Sequence, residues 1–258
     1  MRRAVLVVVA ACTPPAIPAT SAPARAPRAE LGDTFTLPST VLGERRLIDV
    51  YVPPGYAQGS DRYPVLYMPD GGMAEDFPHT AGDTDVSIRN EVIRPIIVVG
   101  VENTDRKRDL VAGSAKFRSF LHDELAPEID RRYRTTSERE LIGESLAGLF
   151  AVETLLVAPG DYSGYIAADP SMWLDDESLV RDAARHLADW TAGPKELYLA
   201  TGDAPEMQQD AAMLIDTIAI TGAPIHVTYE PMPEEHHNTI FAIAGLRGIR
   251  TLFARQLQ

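Results

Sequence analysis

The sequence predicts one α/β domain built as a three-layer sandwich, its sheet mostly parallel with antiparallel first strands. Three observations point there. Short continuous apolar runs recur along the chain, as in strands covered on both faces. Stretches with helical periodicity separate those runs, so strand and helix alternate. Two segments near the front instead alternate apolar with polar residues, as half-exposed antiparallel strands do.

Those two front strands are Thr34-Phe35-Thr36-Leu37 and residues 46–52. Buried strands follow at 65–68, 96–101, 140–142, 165–168 and 197–200, and residues 225–229 make the last. A helix is predicted over 115–129, where Phe117, Phe120, Leu121, Leu125 and Ile129 recur at helical spacing. Residues 146–157 are nearly all apolar, as a central helix should be. Further helices are predicted over 179–187, 206–220 and 239–257. No internal repeat is visible, and the domain is expected to span 31–258.

Composition narrows the function. A chain of 258 residues with 45% hydrophobic content can bury one sizeable core. Its formal charge is −13, and its 24 basic residues are scattered. The brief clusters Arg106-Lys107-Arg108 and Arg131-Arg132 are flanked by Asp105, Asp109 and Asp130. With no basic face, nucleic acid is excluded as a partner. The single cysteine, Cys12, excludes an internal disulfide and a cysteine-based zinc cage. No apolar run reaches the ~18 residues of a membrane span.

Residues 1–30 read as an export segment. Met1-Arg2-Arg3 precedes a short apolar run over 4–11, the layout of a secretory signal. Residues 13–29 are rich in Pro, Ala, Ser and Thr, a composition that extends but does not pack. Val9-Ala10-Ala11-Cys12 also resembles a bacterial lipoprotein signal, in which the cysteine carries the lipid anchor. Ordinary cleavage after Ala19-Thr20-Ser21-Ala22 is the alternative. The expected location is outside the cytoplasm: periplasmic, anchored to a membrane through Cys12 with the Pro-rich stretch as tether, or secreted.

The chemistry lies in Leu141-Ile142-Gly143-Glu144-Ser145-Leu146-Ala147-Gly148-Leu149-Phe150. A buried strand ends, a serine stands two residues past a glycine, and an apolar helix begins at once. Small flanking residues suit a nucleophile elbow, where strand and helix pack closely about the turn. Such a turn holds Oγ above the sheet at a helix N-terminus, where the dipole favours developing negative charge. The Gly-x-Ser-x-Gly pattern has one departure. Alanine occupies position 147, adding a single methyl, and Gly148 follows one step later.

A serine nucleophile needs a base, and six histidines are available. His79 falls in a predicted loop. His122 and His186 fall on solvated helix faces, and His226 lies inside a strand as a packed side chain. His236 and His237 follow the last strand and precede the last helix, which fits the order nucleophile, acid, histidine. His237 is the expected base, with His236 facing solvent or packing on its loop. A loop binding metal loosely through Glu234-Glu235-His236-His237 is the plainer reading, but no His-Glu-x-x-His or comparable spacing supports a metal site. No cofactor is implied.

The acid that orients the ring is expected after the strand at 197–200. Glu206, 31 residues before His237 and at a helix start, is the first choice. Asp203 is the near alternative, with Asp169 and Asp210 further off. Two backbone N–H groups must hold the oxyanion. Leu146, next to the serine, should supply one, and the loop Pro69-Asp70-Gly71-Gly72-Met73 the other.

With these residues in place, the chain resembles the putative-esterase branch of the α/β-hydrolase fold. That branch includes siderophore (enterobactin-type) esterases, feruloyl esterases, S-formylglutathione hydrolases and mycolyltransferases. The resemblance runs over most of 45–258. It rests on Val52-Pro53-Pro54-Gly55-Tyr56, Tyr63-Pro64-Val65-Leu66-Tyr67-Met68-Pro69-Asp70-Gly71-Gly72, and Gly100-Val101-Glu102-Asn103 followed by Arg108-Asp109. Glu124-Leu125 with Pro127, Arg132-Tyr133-Arg134-Thr135, the serine turn, and Asp169-Pro170-Ser171 with Trp173 extend it. It implies Ser145 as nucleophile, His237 as base, and Gly72 with Leu146 as oxyanion donors. Relatives carry a longer loop where only Leu110-Val111-Ala112 separate Asp109 from Gly113, so a different pocket shape is expected. The function expected is an exported serine carboxylesterase that works through an acyl-enzyme on a small-molecule ester. A non-catalytic binding protein of the same fold and an acyltransferase using the same serine are the alternatives.

Overall fold

The computed structural model describes residues 32–255; the predicted export segment and Cys12 lie outside the described residues. Within the described residues, eight strands form one sheet: β1 (Asp33–Ser39), β2 (Glu44–Tyr51), β3 (Tyr63–Pro69), β4 (Ile97–Val101), β5 (Thr135–Glu144), β6 (Gly164–Ala168), β7 (Lys195–Thr201) and β8 (Ile225–Pro231). Their order across the sheet is β1-β2-β4-β3-β5-β6-β7-β8. The β1–β2 and β2–β4 pairs are antiparallel and every later pair is parallel. The alternating polarity of β1 has its cause in position. It is an edge strand, exposed at every second residue along most of its length. Strands β3, β4 and β6 are buried throughout, as their unbroken apolar runs require.

Among the described residues, seven α-helices flank the sheet: α1 (Phe77–Arg89), α2 (Ser114–Ser119), α3 (Ala126–Arg132), α4 (Leu146–Val157), α5 (Leu174–Leu187), α6 (Pro205–Thr221) and α7 (Phe241–Leu252). The two-residue period of β3 shows how the layers divide. Leu66 and Met68 join a core with Phe77 of α1 and Ala244 and Ile249 of α7. Val65 and Tyr67 point the other way, into a core with Phe117 of α2, Phe150 of α4, Val180 of α5 and Leu214 of α6. The result is the three-layer sandwich with antiparallel first strands.

Two features differ from the sequence reading. Helix α1 was not foreseen, and His79 sits on it rather than in a loop, beside Asp83 one turn on. Its buried face is built from Phe77, Thr80, Ala81, Thr84 and Ser87, so small polar residues occupy the helical stripe and mask its apolar period. The helix predicted over 115–129 is present as α2 and α3, joined by a π-helical turn over Phe120–Leu125. A second π-turn, Arg108–Ala112, forms the short segment between Asp109 and Gly113.

Close backbone approach fixes the loop after β3. A Cβ on Gly71 would lie 2.4 Å from Gly100 Cα, and one on Gly100 would lie 2.0 Å from Gly71 O. Only a pair of glycines lets that loop cross β4, where Gly71 N–H donates to Val101 O at 3.0 Å.

Candidate active site

The carboxyl ends of the parallel strands converge on one edge of the sheet, the usual place for a site in such a fold. Asp70, Ser145 and Asp169 each stand one residue past a strand, β3, β5 and β6, and each has positive φ: 56°, 58° and 42°. Non-glycine residues in this region are strained and persist where the surroundings hold them. At Ser145 the holding contacts are visible. Its N–H donates to Ala168 O at 3.1 Å, and its carbonyl accepts from Leu149 N–H at 2.9 Å and Ser171 N–H at 3.1 Å. A Cβ on Gly143 would lie 2.3 Å from the carbonyl carbon of Ala147, so strand and helix meet across that glycine. Position 147 itself tolerates its methyl and is fully buried.

The pairing of Glu144 with Ala168 brings Ser145 and Asp169 level on neighbouring strands. His237, on the loop between β8 and α7, lies between them. Its Nε2 is 2.9 Å from Ser145 Oγ and its Nδ1 is 2.6 Å from Asp169 Oδ2. Asp169 is fully buried, and its other oxygen accepts the N–H of Gly202 at 2.9 Å. The Ser171 hydroxyl lies 3.3 Å from Ser145 Oγ.

The first choice of acid is therefore corrected. Glu206 stands in the first turn of α6 and lines the cleft, but makes no hydrogen bond to His237 among the described residues. The carboxylate on the ring is Asp169, the residue after β6 rather than after β7. Asp203 pairs instead with His236 at 2.6 Å, and that histidine is largely exposed. Asp210 is buried in α6, and burial pushes its carboxyl up to about 6. His226 is exposed on edge strand β8 beside Glu196, not packed as the sequence suggested. His122 lies at a solvated position beside Asp123.

The two expected oxyanion donors differ in state. Leu146 is the first residue of α4, where an amide has no carbonyl one turn back. The Gly72 N–H donates to Glu75 Oε2 at 2.8 Å, and the same carboxylate accepts from Asn103 N–H at 3.2 Å. That pair of amides already holds a carboxylate, so Gly72 is engaged rather than open.

Charge is concentrated beside the serine. Arg106 grips Asp70 through Nε at 2.9 Å and a terminal nitrogen at 2.7 Å, and the Asn103 side chain donates to the same carboxylate. Glu144, next to Ser145, places Oε1 3.5 Å from His237 Nε2. Burial pushes its carboxyl up to about 7; His237 and Arg106 oppose the rise, and Asp70 and Asp76 add to it.

A cleft of about 650 Å³ opens over Ser145 and His237. Leu146, Trp173, Leu174, Met207, Val111 and Ala112 give it an apolar wall, and Arg106, Lys107 and Glu206 add charge. The short π-turn thus forms part of the wall. A smaller cavity of about 250 Å³ beside it, reaching Leu149, Val157 and Leu179, shares Val111 and Leu174 with the cleft. Among the described residues no group of His, Cys, Asp and Glu is arranged to hold a metal, and no helix is long and apolar enough to cross a membrane.

Comparison with known proteins adds a frame to this geometry. A family model described as Putative esterase matches residues 39–235. The chain is 26% identical over 157 residues to the iron(III) salmochelin esterase of Escherichia coli, covering 58% of this chain and 38% of that protein. It is 23% identical over 268 residues to the ferri-bacillibactin esterase of Bacillus subtilis, covering 84% and 91%. Among solved structures, an IroE-like serine hydrolase from Shewanella oneidensis superposes with a TM-score of 0.80 at 27% identity, covering 86% of this chain and 79% of that one.

Proposed function

The chain belongs to the Putative esterase family, and from that premise we propose that it is an exported serine carboxylesterase acting through an acyl-enzyme. One observation carries the reading: a single imidazole bridges Ser145 Oγ and the buried Asp169 carboxylate through its two nitrogens.

With Nδ1–H donated to Asp169, Nε2 is left to accept the Ser145 proton. The alkoxide attacks the ester carbonyl as the proton moves to Nε2. The tetrahedral oxyanion is held by the N–H of Leu146 and by that of Gly72, once the Glu75 carboxylate has left it. The imidazolium then returns its proton to the departing alcohol. Water, deprotonated by the same ring, cleaves the acyl-enzyme and restores Ser145. Asp169 keeps its bond to Nδ1 throughout and fixes the ring's tautomer. Protonating both ring nitrogens stops the first step, so activity falls in acid.

The relatives' names point to siderophore esters as substrates, and the apolar cleft wall suits an aryl or acyl group. Export rests on the signal-like residues 1–11, with Cys12 as the candidate lipid anchor.

Ser145→Ala is the decisive variant. On a panel of aryl esters of graded chain length, with catecholate and ferulate esters, it should lower turnover by several orders of magnitude. A fluorophosphonate should label wild type at Ser145 and leave the variant unlabelled. Intact, unlabelled wild-type protein would favour a binding protein of the same fold, and capture of the acyl group by an added alcohol in preference to water would favour an acyltransferase.

A further inference from the structure

The active-site imidazole faces two carboxylates, and only one has been assigned work. Asp169 holds Nδ1. Glu144 approaches the opposite nitrogen, with Oε1 3.5 Å from Nε2, the atom that also faces Ser145 Oγ at 2.9 Å. Its place is fixed by covalent geometry, because it is the last residue of β5 and immediately precedes the strained serine.

We propose that Glu144 is a positioning residue acting through His237: its carboxylate stabilises the imidazolium formed when Ser145 gives up its proton. The proposal rests on the acyl-enzyme reading above. The proton account is simple. It leaves Ser145 Oγ, resides on Nε2, and passes to the leaving alcohol; Glu144 never takes it. The carboxylate lowers the energy of the charged ring from the side on which that charge appears.

The surroundings set when Glu144 carries charge. Asp70 past β3 and Asp76 before α1 repel a further negative charge, and Arg106 from the loop after β4 attracts one, although much of its guanidinium is committed to Asp70. Glu75 and Glu102 lie around Gly72 in the neighbouring loops, and Asp169 faces the ring from its far side. Burial dominates, so the Glu144 carboxyl titrates near 7 rather than in the ordinary carboxylate range. Above that pH the charge is present and assists the ring. Below it Glu144 is neutral and the assistance is gone. The acid limb of activity then belongs to the Glu144–His237 pair, not to an isolated imidazole.

Glu144→Gln preserves shape and removes the charge. Two coupled changes are expected in kcat/KM for an aryl ester: a lower plateau, by about tenfold, and an acid limb displaced downward by roughly 1 pH unit. The variant should approach wild type near pH 6 and lag most above pH 8. Glu144→Asp, which keeps the charge, should recover part of both. NMR titration of the His237 ring, assigned with His237→Asn, should show the same downward displacement in Glu144→Gln whether or not the protein cleaves the ester. An unmoved ring titration would overturn the proposal, as would a lowered plateau with an unmoved limb, which marks a merely structural role. A displaced ring titration in protein that neither labels at Ser145 nor hydrolyses esters would uphold the pairing and remove the esterase reading instead.

Discussion

At the residue scale, the site turns on which carboxylate reaches the ring. Asp169 is fully buried and shared between His237 and the Gly202 amide, so its charge is held by hydrogen bonds rather than by solvent. Asp169→Asn should reduce kcat roughly 10³- to 10⁴-fold, because the amide cannot hold the tautomer that leaves Nε2 free. Asp203→Asn, which loses only the pairing of exposed His236, should leave kcat nearly unchanged. Steady-state kinetics on both variants checks the assignment. That Ser145 and His237 come within hydrogen-bond reach was readable in the chain, because each lies at a junction of recognisable elements. The carboxylate that meets the ring was not, because chain order alone favours those after β7. A signal was present all the same: Asp169 directly follows the buried run Tyr165-Ile166-Ala167-Ala168, much as Ser145 stands two residues past the buried run of β5. Glu75 left no comparable trace, since nothing in its local sequence says that it folds back onto the Gly72 amide.

At the element scale, the tight β5–α4 turn is the part that tolerates least. In Gly143→Ala the new Cβ would meet main-chain atoms of Ala147 at 2.3 and 2.4 Å, so the helix must move away from the strand. We expect a loss of about 1–3 kcal/mol in stability by urea denaturation, together with lost fluorophosphonate labelling. Adding Ala147→Gly should not rescue it, because the clash is with backbone as well as with the methyl. Buried strands were legible for a simple reason: covering both faces demands continuous apolar sequence. Helix α1 was not, because Thr80, Thr84 and Ser87 fill its inner face. The π-turns also escaped, since adding one residue to a helical turn leaves composition unchanged.

At the scale of the whole molecule, a buried ion pair ties strand β2 to the π-turn that follows β4. Arg46 of β2 is fully buried, donates to Asp109 of the π-turn and to Glu102 O at 2.7 Å, and packs over the rings of Phe117 and Phe120. Removing Asp109 leaves the fully buried Arg46 with only the partly exposed Glu44, 3.2 Å away, as a charge partner. Asp109→Ala should therefore cost about 3–5 kcal/mol, measured by chemical denaturation. A double replacement by apolar residues of similar volume should recover much of that loss.

The same π-turn contributes Val111, which, with Leu174, faces both the cleft and the smaller cavity. These two side chains form a removable partition. Shortening either should widen the connection between the two spaces while leaving the strand ends untouched. The range of molecules admitted could then drift, or be engineered, at the partition alone, independently of the machinery that cuts them.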